Sequence, residues 1–141
     1  MKNDLSTRDL YPAREFGLLV IRIGIGIAFM WHGVPKLFGG PEIWARLGEH
    51  GMGSLGIHFF PQFWGLMSGI AEFGGGVLIA LGFGWRIALG FMMFTMIAAI
   101  AFHISSGKGS VNHALESLIL FAGLFLIGPG KYTIQQLIRK S

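Results

Sequence analysis

Six ionisable side chains, Arg22, His32, Lys36, Glu72, His103 and Glu116, fall inside segments that otherwise read as membrane-spanning. A charge at the centre of a bilayer costs at least ~2.5–3.5 kcal/mol on insertion scales and persists only with a partner, a cavity or a task. A chain of this kind has to enclose a polar interior behind an apolar exterior, which restricts it to a small integral membrane protein. Composition agrees: 52% of residues are hydrophobic and 13% charged, against roughly 25% charged in soluble domains, and the mean hydropathy is +0.61.

The pattern predicts an all-α fold, a membrane-embedded four-helix bundle with a short interfacial helix in the first outer loop. Residues 1–15 are polar and mixed in charge and lack the basic-then-apolar order of a signal peptide, so they read as a cytoplasmic lead. The membrane domain covers 16–130, with spans over about 16–38, 61–83, 85–104 and 113–127, most of them near the ~20 residues that cross a ~30 Å hydrocarbon core. The fourth is short, and a span of ~15 residues crosses by thinning the bilayer or by snorkelling of its flanks. Between the first two spans, PEIWARLGEH offers Pro41 for a helix start and Ile43, Trp44 and Leu47 to dip into the interface. Gly128-Pro129-Gly130 ends the fourth span, since proline cannot continue a helix and glycine permits the turn. A basic cytoplasmic segment, 131–141, follows.

Orientation follows from lysine and arginine near the span ends. One side collects Lys2, Arg8, Arg14, Arg86, Lys131, Arg139 and Lys140, and the other Lys36, Arg46 and Lys108, which predicts both termini in the cytoplasm, as for a bacterial inner-membrane protein. Trp31, Trp44, Trp64, Trp85, Tyr11 and Tyr132 fall near the predicted interfaces. The net charge of +4 suits anionic lipid. It does not point to nucleic acid, because the basic residues are split between faces.

Of 23 glycines, Gly65 and Gly69 form a small-xxx-small pair, and Gly26/Gly33 and Gly69/Gly76 recur one heptad apart. That spacing lets helix backbones approach closely where lipid removes the hydrophobic drive for association. Internal bundle packing is the favoured reading, and a homo-oligomer seam is the other.

At about 100° per residue, Arg22, His32 and Lys36 share a sector about 80° wide on the first helix, so all three can face the bundle interior. Antiparallel helices put Lys36, His103, His113 and Glu116 near the outer end, His32 slightly deeper and Glu72 near mid-membrane. Arg22 then lies a few ångströms further toward the cytoplasm, a Glu72–Arg22 or Glu72–His32 pair is reachable, and for Glu72 a structural ion pair with Arg22 stands beside a functional proton or ligand site. Each residue has a plainer alternative: Lys36 snorkels, Arg86 anchors the interface, and His103 and His113 sit at the surface. His50 and His58, in the outer loop, carry no signal.

RIGIGIAFMWHGVPKLFGG, then GIAEFGGGVLIALGFGWRIA, His103, Glu116 and GPGKYTI resemble the DoxX family of small four-helix membrane proteins over about Leu18–Ile134. The matching positions are Arg22, His32, Gly33, Lys36, Glu72, Gly75, Gly82, Arg86, His103, Glu116, Gly128, Pro129 and Gly130. The chain departs at Gln135, where the family commonly has an acidic residue. The resemblance implies an accessory membrane subunit of a redox system with a quinone head group or small polar ligand held among His32, Lys36, Glu72, His103 and Glu116, and a membrane or redox protein as partner.

Other readings stand beside it. A structural or assembly subunit would use the same charges as ion pairs. A b-type haem on His32 and His103 is disfavoured, because two imidazoles in a polar cluster are more often hydrogen-bonded residues. A solute carrier is disfavoured because the spans show no clear pair of broken helices. With no cysteine, disulfides, thiol redox chemistry and iron–sulfur ligation are closed to the chain alone. No hydrolase order, P-loop or HExxH-type zinc spacing occurs.

Overall fold

The computed structural model describes residues 7–140, in which helices and loops account for everything and no strand occurs. In order come α1 (Thr7–Leu37), α2 (Pro41–Gly51), α3 (Pro61–Leu81), α4 (Trp85–Ser106), α5 (Asn112–Ile127) and α6 (Ile134–Lys140), with one 3₁₀ turn at Gly53–Leu55. Three helices are long and apolar enough to cross a membrane: α1 over Tyr11–Leu37, α3 and α4. The apolar α5 has 16 residues.

The first helix starts at Thr7, ahead of the apolar run that begins at Phe16. Tertiary contact extends it: Glu15 and Leu18 are buried against the turn after α5, where a Cβ on Gly130 would lie 3.0 Å from Glu15 Oε2 and 3.4 Å from Leu18. Lys2, counted in the charge bias, and residues 1–6 of the polar lead lie outside the described residues.

The tightest seam joins α1 to α3, antiparallel, through small residues. A Cβ on Gly33 would stand 2.5 Å from the Phe73 backbone nitrogen, one on Gly69 2.8 Å from that of Leu37, and Gly26 and Gly76 meet each other's carbonyls at 2.6 Å. Beyond Leu37 the chain breaks over 38–40 and resumes as α2, which packs on the next stretch of the same α3 in the same sense. There Gly65 lies on the Trp44 backbone and Gly48 on that of Pro61. The first half of the bundle is thus one interrupted helix, α1 then α2, laid along α3. Among the described residues this is the one interruption of that kind along α1 and α2.

Trp44 and Leu47, expected with Ile43 to dip into the interface, also make contacts inside the protein, Leu47 lining a cavity between α2, α3 and α4. The Trp44 indole N–H donates to the Lys36 carbonyl at 2.8 Å, satisfying one of the carbonyls left over where α1 ends. Trp85, also expected at an interface, is 5% exposed and donates to the Leu124 carbonyl in the last turn of α5 at 3.0 Å.

Between α3 and α4 the chain turns within three residues. Gly82 takes φ 67, its N–H reaching the Ile79 carbonyl at 3.1 Å and that of Phe83 the Leu78 carbonyl at 3.0 Å, the hydrogen-bond pair of a Schellman termination. The buried core is Phe29, Ile79, Leu89, Met92 and Phe121 with their neighbours. Large apolar side chains such as Trp31 and Leu126 point outward, as lipid allows and water does not.

Candidate functional site

Lys36 occupies the last turn of α1, and the approach of its backbone to Gly69 brings its stem alongside α3 one turn from Glu72. Nζ lies 2.6 Å from Glu72 Oε1. The two partners are unequally placed: the Glu72 side chain is 4% exposed and that of Lys36 33%. The carboxylate is therefore the desolvated half of the pair.

Glu72 Oε2 is buried and has no hydrogen-bond partner. A buried acceptor left unmade costs about 1–3 kcal/mol, more when charged. This oxygen has an outlet, since both Glu72 and Lys36 line a cavity of about 630 Å³ between α2, α3 and α4. The rest of the lining is largely apolar, with Met67, Leu78, Phe91 and Phe94 among it, and His50 and His103 also contribute. Phe63, Ile70, Ile87 and Phe91 around it are exposed, so the cavity opens sideways where a bilayer would lie. A slot with apolar walls and one ion pair can accept a molecule with an apolar body and an oxygen-bearing head: Lys36 has donors to spare, and Oε2 can accept a hydrogen bond or a proton.

Of the six ionisable residues, the structure unites Lys36 and Glu72, with His103 on the same cavity. The Glu72–Arg22 pair does not form. Arg22 packs against Gly82 and donates to the Pro129 carbonyl at 3.2 Å, ten residues along α3 from Glu72, or about 15 Å at the helical rise. The interrupted first helix is the cause: with α2 occupying the start of α3, the end of α1 meets α3 only from Gly69 onward, which slides Arg22 to the far end of the bundle.

Glu72 does not meet His32 either. His32 is exposed and its ring sits 5.4 Å from that of His113 and 6.0 Å from that of Phe29. His103 Nδ1 is 2.6 Å from the Lys108 carbonyl oxygen, so the two candidate haem ligands stand in different contacts. Glu116 lies on an exposed face of α5, apart from the cavity lining.

Glu15 went unnoticed in the sequence. It is buried, and its Oε2 accepts the Lys131 backbone N–H at 2.6 Å. Glu15 and Arg22, seven residues apart on one face of α1, together clamp the Gly128-Pro129-Gly130 turn. The heptad spacing from Arg22 was the available signal.

A family model described as DoxX matches residues 17–104, which takes in the cavity and the Lys36–Glu72 pair and stops short of α5. No curated protein and no solved structure matches the chain.

Proposed function

The chain belongs to the DoxX family and is a multi-pass membrane protein, and on that premise we propose that it is the membrane subunit of a redox system that holds a quinone head group at the Lys36–Glu72 pair. The observation that carries this reading is the unpartnered Glu72 Oε2 in an apolar, laterally open cavity. Lys36 donates to one ligand oxygen, Glu72 accepts from a ligand hydroxyl or takes its proton, and the apolar walls keep bulk water from both. A bound quinone supplies two-electron, two-proton chemistry. With no cysteine, the chain supplies no thiol or iron–sulfur route, so the electrons come from a partner protein with its own cofactor.

In this reading α5 is the fourth span, its 16 residues giving about 24 Å, and a locally thinned bilayer accommodates it. Glu42, Arg46 and Glu49, exposed on α2, keep that helix at the outer interface. Arg86 and Lys131 lie at the opposite end, with Lys131 over the Tyr11 ring at 5.4 Å. That bias supports a cytoplasmic position for this end in a bacterial-type inner membrane.

The test is quenching of tryptophan fluorescence by a short-chain quinone in nanodiscs, since Trp64 lines the cavity. Saturable quenching is expected, with affinity roughly tenfold weaker in Glu72→Gln, about what one charged hydrogen bond is worth. Equal quenching in a folded Glu72→Gln variant, with only bulk lipid co-purifying, would favour a structural subunit instead.

A further inference from the structure

Arg22 is 3% exposed and forms no ion pair among the described residues. Its one hydrogen bond goes to a neutral carbonyl, Pro129, and its buried Nε has no partner. A guanidinium does not give up its proton in a protein, so this buried charge calls for a counter-charge. Glu15, the buried carboxylate at this end, is engaged with the Lys131 backbone N–H.

Arg22 lines a second cavity of about 570 Å³, distinct from the one at Glu72, and among the described residues no acidic side chain lines it. Lys131 stands at its edge, its ammonium 5.4 Å from the Tyr11 ring centre and 5.3 Å from that of Tyr132. Thr133 and Gln136 also line it. The Thr133 hydroxyl oxygen accepts the Gln136 backbone N–H at 3.1 Å, which leaves its proton free for another acceptor.

We propose that this cavity binds an oxyanion of the phosphate class, with Arg22 as the buried cation, Lys131 as the second, and Thr133 and Gln136 as neutral donors. Arginine suits a phosphate because its planar fork donates in pairs, and basic pockets at the ends of spans are where phospholipid head groups lodge. Leu81 and Ile134 give the cavity an apolar margin that admits acyl chains. The phosphate therefore belongs either to an anionic phospholipid or to a free phosphate, and the two sources are separable.

The full chain in neutral detergent is titrated with phosphatidylglycerol, with phosphatidylcholine, and with inorganic phosphate against chloride at matched ionic strength, following the thermal midpoint. Beyond the wild type, Lys131→Gln removes the outer cation, and Gln136→Glu keeps Arg22 but places a carboxylate in the cavity. Phosphatidylglycerol should raise the wild-type midpoint at lower concentration than phosphatidylcholine, with roughly a fivefold weaker response in Lys131→Gln, the loss of one cation near the surface. The response should vanish in Gln136→Glu. A midpoint raised by inorganic phosphate as well would assign the site to the free anion. Equal responses to both lipids with none to phosphate, or a Gln136→Glu variant that responds like the wild type, overturns the proposal.

Discussion

Lys36 Nζ stands 2.6 Å from Glu72 Oε1, joining the last turn of α1 to the middle of α3. The contact arises where the first helix breaks. Because the lysine stem is one-third exposed and the carboxylate almost enclosed, the two ends of the pair respond differently to substitution.

Lys36→Met should destabilise more than Glu72→Gln. The first strands a buried carboxylate, for which about 3–5 kcal/mol is typical of a broken buried pair. The second lets the lysine swing toward the cavity mouth and should cost about 1–2 kcal/mol. Replacing both, as Lys36→Met with Glu72→Leu, should recover much of the loss while abolishing quinone quenching. Thermal unfolding in one detergent orders the three variants, and the reverse order of the single substitutions would show that the lysine, not the carboxylate, is the desolvated partner.

Gly33→Ala should disturb the α1–α3 seam, because the added methyl would meet the Phe73 backbone at 2.5 Å. Overpacking of this kind costs about 1–3 kcal/mol. Gly24→Ala, on the same helix with nothing within 4 Å, should be neutral or slightly stabilising. An equal change in melting temperature in the two variants would mean that backbone approach at Gly33 does not set the effect.

Trp44→Phe removes the indole N–H that holds the Lys36 carbonyl, a loss of about 1 kcal/mol. Its effect should extend to the ligand, with weaker quinone affinity, because the same residue carries the ammonium at Glu72. Trp31→Phe, at a residue 79% exposed, serves as the control and should leave both stability and affinity within error.

Glu15→Ala should release the turn after α5, since the carboxylate holds the Lys131 N–H at 2.6 Å. Faster hydrogen exchange at residues 130–133 is the expected readout, with protection at Glu72 unchanged. Glu15→Gln keeps an acceptor oxygen and should fall between. Uniform loss of protection along the chain would point to global destabilisation instead.

Fold class and element positions were largely legible in the sequence because hydropathy acts locally. The apolar runs mark α3, α4 and α5 to within a few residues, and Gly82, Gly84 and the Gly-Pro-Gly turn mark where they stop. The Lys36–Glu72 pair was not legible. Helical periodicity placed Arg22, His32 and Lys36 on one sector, but periodicity says nothing of how far one helix slides along another. Glu15 was missed for a related reason: it precedes the apolar run, and its burial comes from a turn 115 residues later, between Glu15 and Gly130.

By itself, the sequence determined that this chain is helical and apolar on its outer face, because transfer free energies and backbone preferences belong to individual residues and their near neighbours. The tertiary structure decided which charges meet. Glycines at Gly33, Gly65 and Gly69 and the break at 38–40 set the register of α1 and α2 on α3. A slide of a few residues is enough to exchange one partner of Glu72 for another, since charge pairing falls off within a few ångströms while each residue of helix advances about 1.5 Å.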